Sequence, residues 1–485
     1  MTALFPGQTP AGSLPLKSLF GFVRSTIHGD ARWMSRREMR RFFARSNDGL
    51  VISPRQRMSR EHSFANLALV APTGSGKTSR FVIPNLLKAE GSVVVTDPSG
   101  ELYERTSGHL HNQGFEVRVL APTDLEHSVR FNPLSRCQTP QEIRQLATTL
   151  AQNAGNQDPF WTITATNLLY LSLSAVAAVD DGRCRNLGNL RWLLNHMGTG
   201  NVAVHRFMSK HLDDDRLFSE YIAFCAQDSK VMASILASAR ASLELWSDPD
   251  ICRLTASDNT GLENLRTRKT AIYLVVPEHQ VRYFSILLNL FYSACFALCL
   301  QDFKEHGALP VYFFLDEFGN LGRVADFASI ITTLRKRRCS LSVILQELSQ
   351  LTSVYGHHEA RTIFAGGCGN KLFFSGLDLE TSRYIEGMLG QSTEYDTAFG
   401  GFDEHSRTVG VPLMRADHAR MMKEREAVLI SGGHRPIRVS MPPYFDVPSL
   451  RRISRKTPAT FAPDYAGETV EFIDLGQDQE GAAAG

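Results

Sequence analysis

Two spacings of apolar residues share most of the chain. Leu67 to Val70, Val93 to Thr96 and Val117 to Leu120 are apolar runs of strand length, and the stretches after the first two, opening at Lys77 and Glu101, read as helices. The rhythm resumes after residue 265 with Ala271 to Val276, an apolar helix over Ile286 to Leu300, Val311 to Leu315, a helix ending at Arg335, Leu341 to Leu345, and Leu372 to Phe374. Such alternation predicts an α/β fold, a parallel sheet covered by helices. Between the two blocks the pattern changes. Thr139 is placed as a cap, Pro140 as the first helical residue and Glu142 as the closing member of a capping box. Ile143, Leu146, Ala147 and Leu150 then fall at helical spacing, and Phe160 to Ala177, Leu190 to Met197 and Val231 to Trp246 continue in that style without a convincing strand. An all-α domain inserted into the α/β domain is the prediction.

Five segments follow: an N-terminal arm with a short basic helix (1–60), the first part of the α/β domain (61–138), the inserted all-α domain (139–264), the second part of the α/β domain (265–450) and a tail (451–485). In the arm, Leu14, Leu16, Leu19, Phe20, Phe22 and Val23 precede a helix that Ser35 and Glu38 should cap, with Met34 and Met39 as a hydrophobic staple. That helix carries Arg36, Arg37, Arg40, Arg41 and Arg45, with Arg32 just before it. These arginines could hold phosphates of DNA or anionic lipid, or simply form a solvated face. The tail has Glu468, Glu471, Asp474, Asp478 and Glu480 and no Lys or Arg after Lys456, which predicts an acidic, disordered segment that either solvates or docks a partner.

Composition narrows the class. A chain of 485 residues with 43% hydrophobic and 21% charged residues has the make-up of a soluble globular protein of two or three domains. Lys plus Arg (52) balances Asp plus Glu (50), so any nucleic-acid contact must come from local patches. The eight cysteines form no CxxC pair or metal-ligand cluster, and they read as reduced thiols, with Cys295 and Cys299 packed on one face of the apolar helix. Neither a signal-peptide pattern nor a run of about 20 apolar residues is evident, so a cytoplasmic location is expected, with Ile286 to Leu300 as the longest apolar candidate.

The chemistry is concentrated at strand ends. Ala71-Pro72-Thr73-Gly74-Ser75-Gly76-Lys77-Thr78 follows a strand and opens a helix, the setting of a phosphate-binding loop. Backbone N–H groups of Thr73, Gly74, Ser75 and Gly76 would wrap phosphate, Lys77 would bridge β- and γ-phosphates, and the Thr78 hydroxyl would reach Mg²⁺. Ala71 stands where the strict motif has Gly, which is acceptable if φ there is negative. Val311 to Leu315 ends in Asp316 and Glu317, placed respectively to hold the Mg²⁺ shell and to polarise an attacking water. Gln346, after the strand Leu341 to Leu345, either senses the γ-phosphate or is a loop residue. ATP and Mg²⁺ are the expected cofactors.

The sequence resembles the TraG/TraD-like coupling proteins of type IV secretion over roughly residues 28–450. The resemblance rests on His28-Gly29-Asp30-Ala31-Arg32-Trp33, the phosphate loop, Val95-Thr96-Asp97-Pro98-Ser99-Gly100-Glu101, Phe160-Trp161, Leu315-Asp316-Glu317-Phe318-Gly319-Asn320-Leu321-Gly322, Gln346-Glu347-Leu348-Ser349-Gln350-Leu351 and Asp378-Leu379-Glu380-Thr381. It implies a RecA-like P-loop motor with an inserted all-α domain, working as a homo-hexameric ring whose interfaces complete the ATP site. Arg335 matches the arginine such families insert into the neighbour's site; otherwise it complements a helix dipole beside Lys336, Arg337 and Arg338. The implied partners are DNA with its relaxase (the relaxosome) or secreted protein substrates, and components of the secretion channel. Two departures stand out. Ser99 replaces the usual Lys, and the N-terminal transmembrane pair typical of the family has no counterpart. A soluble motor held at the inner face of the cytoplasmic membrane, by a separate anchoring protein or by its own arm, is therefore expected. A cytosolic DNA pump of the FtsK/HerA type and a substrate receptor in which ATP only controls assembly remain as alternatives; the helical insert and Phe160-Trp161 favour the coupling protein.

Overall fold

The computed structural model describes residues 27–43, 48–153, 159–197, 202–301, 308–395, 408–460 and 469–475. Nine strands make the central sheet: β1 (Leu67–Val70), β2 (Ser92–Asp97), β3 (Glu116–Leu120), β4 (Thr270–Val275), β5 (Val311–Leu315), β6 (Cys339–Leu345), β7 (Asn370–Phe373), β8 (Glu426–Ser431) and β9 (Ile437–Ser440). Across the sheet their order is β9-β8-β7-β1-β6-β5-β2-β4-β3. Strands β1 to β7 pair in parallel, and β8 runs antiparallel to both β7 and β9.

Parallel strands need helical crossovers on both faces, so both faces are buried and the strands read as unbroken apolar runs. In β1 Leu67 and Leu69 join the core on one side while Ala68 and Val70 join the core on the other. The first side is closed by Phe81, Val82 and Leu86 of the helix after the phosphate loop and by Leu102 and Leu110 of helix Glu101–Asn112. The second is closed by helices Ser285–Leu300 and Phe327–Leu334 and by the helical insert. Cys295 and Cys299 are buried there, and all eight cysteines are free. Strands β8 and β9 extend the sheet beyond Phe374, the last strand residue that the apolar pattern predicts. In β9 buried and exposed residues alternate, as in an edge strand with one solvated face.

Among its described residues the insert contributes helices only, from Pro140–Asn153 to Pro249–Leu254, arranged around Pro159–Ala177. Its two ends are pinned together: Arg136 forms a bidentate pair with Asp258 (2.8 and 2.5 Å), and Phe131 N donates to Leu254 O at 3.0 Å. It leaves the sheet after β3 and returns to β4, at the edge opposite β9. Pro159–Ala177 is, among the described residues, the one helix long and apolar enough to cross a membrane by length and composition, and half of that window is buried. It, and not Ile286 to Leu300, is the longest apolar helix.

The N-terminal helix is Arg36–Phe42, with the predicted capping box in place and Met34 buried. Arg32 makes a bidentate pair with Glu38 (2.8 and 2.7 Å), while Arg36, Arg37, Arg40 and Arg41 are exposed. The apolar residues of the arm and Arg45 lie outside the described residues. The expectation of a disordered tail needs correction where the tail is described. Pro448–Ile453 is helical, Ala459 N donates to Ser107 Oγ at 3.1 Å, and Ile473 is buried against the insert. A Cβ on Gly108 would stand 1.9 Å from Thr457 O, so only glycine lets the tail cross that helix. Glu468, Asp478 and Glu480 lie outside the described residues.

Candidate functional site

The strand order brings three carboxyl ends side by side, since β6 lies between β1 and β5. Ligands of open α/β sheets sit at such ends. β1 runs into the phosphate loop, whose first residue, Ala71, still donates to Leu345 O at 2.9 Å and is fully buried. Its φ is not positive, which is why alanine serves there. Gly74 (φ 76°) and Gly76 (φ 82°) do need the left-handed region. Ser75 folds the loop by donating from N (3.1 Å) and Oγ (2.6 Å) to Pro72 O. Thr78 opens a π-type turn over Thr78–Val82 that continues as helix Ile83–Leu87. Such turns recur at functional sites.

β5 ends in Asp316 and Glu317, exposed by only 3% and 5%, on the far side of β6 from that loop. Glu317 adopts a left-handed backbone (φ 53°, ψ 42°), so the chain turns sharply and its N–H donates to Asp316 Oδ1 at 3.0 Å. Lys77 Nζ pairs with Glu317 Oε1 and stands 3.5 Å from Asp316 Oδ1. Gln346, at the tip of β6, donates from Nε2 to both Glu317 oxygens (2.9 and 2.8 Å), and its Oε1 accepts from Thr73 Oγ1 at 3.0 Å. The loop, Lys77, Glu317 and Gln346 are thus one connected network.

Its electrostatics follow from burial. Desolvation works against the Lys77 ammonium, but Asp316 and Glu317 outweigh it and hold its pKa above the ordinary lysine value. At Asp316 burial raises the carboxyl pKa, Lys77 opposes that shift, and Glu317 adds to it. Two carboxylates in low dielectric with one ammonium between them form a site one positive charge short of neutrality.

Arg335 does not join this network. It is exposed on a short 3-10 turn that precedes β6, at the opposite end of that strand from Gln346, a separation of about 20 Å for seven extended residues. Sequence reasoning gave no role to one member of the network, Gln350, or to two buried charges outside it, Asp97 and Arg80. Gln350 Oε1 accepts from Gln346 N at 2.9 Å and lies in the same motif, four residues on. Asp97 ends β2, next to β5; it is fully buried, accepts from Tyr103 N at 2.8 Å, and burial lifts its pKa to about 6. Arg80, one turn into the loop's helix, is buried and reaches Glu424, through its carboxylate at 2.6 Å and through its carbonyl. Nothing in the sequence spacing joins residues 344 positions apart.

Comparison with known proteins gives this arrangement a family. The model of the family described as "Type IV secretory system Conjugative DNA transfer" matches residues 32–465. The protein VirD4 of Agrobacterium fabrum is 27% identical over 468 residues, which is 90% of this chain and 68% of that protein. The conjugal transfer protein TraG of Escherichia coli is 25% identical over 354 residues, 67% of this chain and 54% of the relative's length. Among solved structures, the bacterial conjugative coupling protein TrwBdeltaN70 in complex with sulphate superposes with a TM-score of 0.68 at 17% identity, covering 87% of this chain and 96% of the solved one. TrwB with ADP and Mg²⁺ gives 0.68 at 16% identity, covering 85% and 93%. The shared fold is the RecA-like motor with an inserted all-α domain. With the matched stretch spanning both halves of the sheet and the helical insert, the chain belongs to the type IV secretory system conjugative DNA transfer family.

Proposed function

We propose that the chain is an ATP-hydrolysing coupling protein of type IV secretion, which recruits DNA with its relaxase, or protein substrates, and moves them toward the secretion channel. The observation that carries this reading is the connected network of Lys77, Gln346 and Thr73 around the buried carboxylate of Glu317, at the tips of three adjacent strands and beside a glycine loop open to solvent. Thr73, Gly74, Ser75, Gly76, Lys77 and Thr78 would hold the phosphates. The hydroxyl of Thr78 and the carboxylate of Asp316 are hard oxygen donors of the kind Mg²⁺ takes. Mg²⁺ held there would supply the positive charge that the two carboxylates lack, and bound ATP would supply a transferable γ-phosphoryl group. Lys77 would turn its ammonium from Glu317 to the phosphates, leaving Glu317 to orient a water and accept its proton. Gln346, hydrogen-bonded to both Glu317 and Thr73, links the state of the carboxylate to that of the loop.

Arg335 lies about 20 Å from the tip of its own β6, so as an arginine finger it would reach a neighbouring subunit's nucleotide in a hexameric ring; its other reading is a complement to the helix dipole. We place the motor at the inner face of the cytoplasmic membrane, held there by the N-terminal arm or by a separate anchoring protein. The TrwB complexes with ADP and Mg²⁺, and with a non-hydrolysable ATP analogue, agree with this reading for a protein of the same fold. Titration with a fluorescent ATP analogue tests it. Lys77→Ala should weaken binding by at least about tenfold, the worth of one charge-assisted contact; equal affinity in wild type and variant would overturn the assignment.

A further inference from the structure

The described tail segment, Thr469 to Leu475, lies across the helical insert as an extended peptide, and its mode of seating is specific. Asn189, fully buried on helix Leu187–Met197, donates from Nδ2 to Glu471 O at 2.9 Å and accepts from Ile473 N at 2.8 Å. One side chain therefore grips the backbone on both sides of Phe472, a contact that reads extended geometry and not side-chain identity. Side chains add selectivity: Glu471 pairs with Arg183 at 2.5 Å, Ile473 is buried, and Phe472 packs on Trp192 at a tilt of 38° with ring centroids 5.0 Å apart.

The groove is larger than its occupant. Thr469 and Val470 form a wall between two cavities, one of about 700 Å³ lined by Trp192, Trp246 and Arg191, the other of about 500 Å³ bordered by Arg183. Phe472 fills so little of the first that it stays 48% exposed. The indole N–H of Trp192 is buried without an acceptor in the protein. A buried clamp for backbone, an aromatic wall with an unused donor and two flanking arginines describe a peptide site.

We propose that this groove binds a short extended acidic–aromatic peptide of a partner protein, of the pattern Glu–aromatic–aliphatic–Asp, and that residues 469–475 occupy it in cis as a replaceable stand-in. A tethered segment competes at an effective concentration on the order of millimolar. The partner peptide must therefore fill the cavity better than Phe472 does, and the tail keeps the groove closed to weaker ligands. The site is separate from the phosphate loop and does not depend on nucleotide.

Fluorescence anisotropy with a labelled peptide of the sequence of residues 467–477 tests this on the full-length chain. Wild type should bind it weakly; the double variant Phe472→Ala, Ile473→Asp, which empties the groove, should bind at least about tenfold tighter. Adding Asn189→Ala should abolish that gain, and a scrambled peptide should not bind. If the double variant folds poorly, Phe472→Ala alone should still bind about threefold tighter than wild type. No gain in either variant, or equal binding of the scrambled peptide, overturns the proposal. Self-association of wild type that the peptide disperses would identify a second copy as the occupant and overturn the partner reading.

Discussion

Glu317 holds a backbone conformation that costs a residue with a Cβ on the order of 1 kcal/mol, and it holds it where Lys77, Asn320 and Gln346 all reach its carboxylate. The strain aims the side chain back across β6 toward the phosphate loop. Glu317→Gln keeps the shape and removes the base, so nucleotide affinity should stay within a few-fold of wild type while turnover falls by about 10²- to 10⁴-fold. Single-turnover hydrolysis set beside the binding titration separates the two effects. Asp97 allows a test by pH. Its folded pKa, about 6, lies above the ordinary value of 3.8, so the folded state binds the proton more tightly. Its contribution to stability is therefore present at acid pH and is lost as pH rises from about 4 through about 6. Asp97→Asn does not titrate. Measured by urea unfolding, the stability of the variant relative to wild type should rise by on the order of 2–3 kcal/mol between pH 4 and pH 7.5. A pH-independent difference would show that Asp97 ionises normally.

At the scale of elements, the strands and the residues at their tips were legible because apolar runs, glycine turns and acidic ends are local signals. The order of the strands was not legible. That Gln346 meets Glu317 depends on β6 lying between β1 and β5, a long-range pairing that no spacing of residues encodes. Strand β9 escaped notice because only alternate residues are apolar, with Arg438 exposed between buried Ile437 and Val439, whereas Ala427 to Ile430 of β8 is a buried apolar run as legible as those of the other strands. In the tail, acidic composition masked Val470, Phe472 and Ile473. Position within an element also decides the role of Arg335. Since it stands at the wrong end of β6 for its own site, Arg335→Ala and Lys77→Ala subunits should each be inactive alone. Mixed rings should recover hydrolysis at the interfaces where an intact finger meets an intact loop. No recovery in rings shown to be mixed would leave Arg335 a purely structural role.

In the whole molecule the nucleotide site sits at the middle of the sheet and the helical insert at its β3 edge, and the tail touches helix Glu101–Asn112 at Ala459 and the insert at Ile473. The exposed Arg36, Arg37, Arg40 and Arg41 follow directly on the apolar arm of the sequence, a pairing of apolar area with positive charge that suits an anionic bilayer. Full-length protein should co-sediment with anionic liposomes, and a chain beginning at Ser35 should do so less; if neither binds, recruitment falls to a partner protein. The central claim is that nucleotide hydrolysis by this site drives transport of a nucleic-acid substrate. Its most direct test is the rate of ATP hydrolysis with and without DNA, in wild type and in Lys77→Ala. The account predicts a basal rate in wild type that DNA raises and that Lys77→Ala abolishes in both conditions. A wild-type rate indifferent to DNA, or hydrolysis that survives the loss of Lys77, would contradict it.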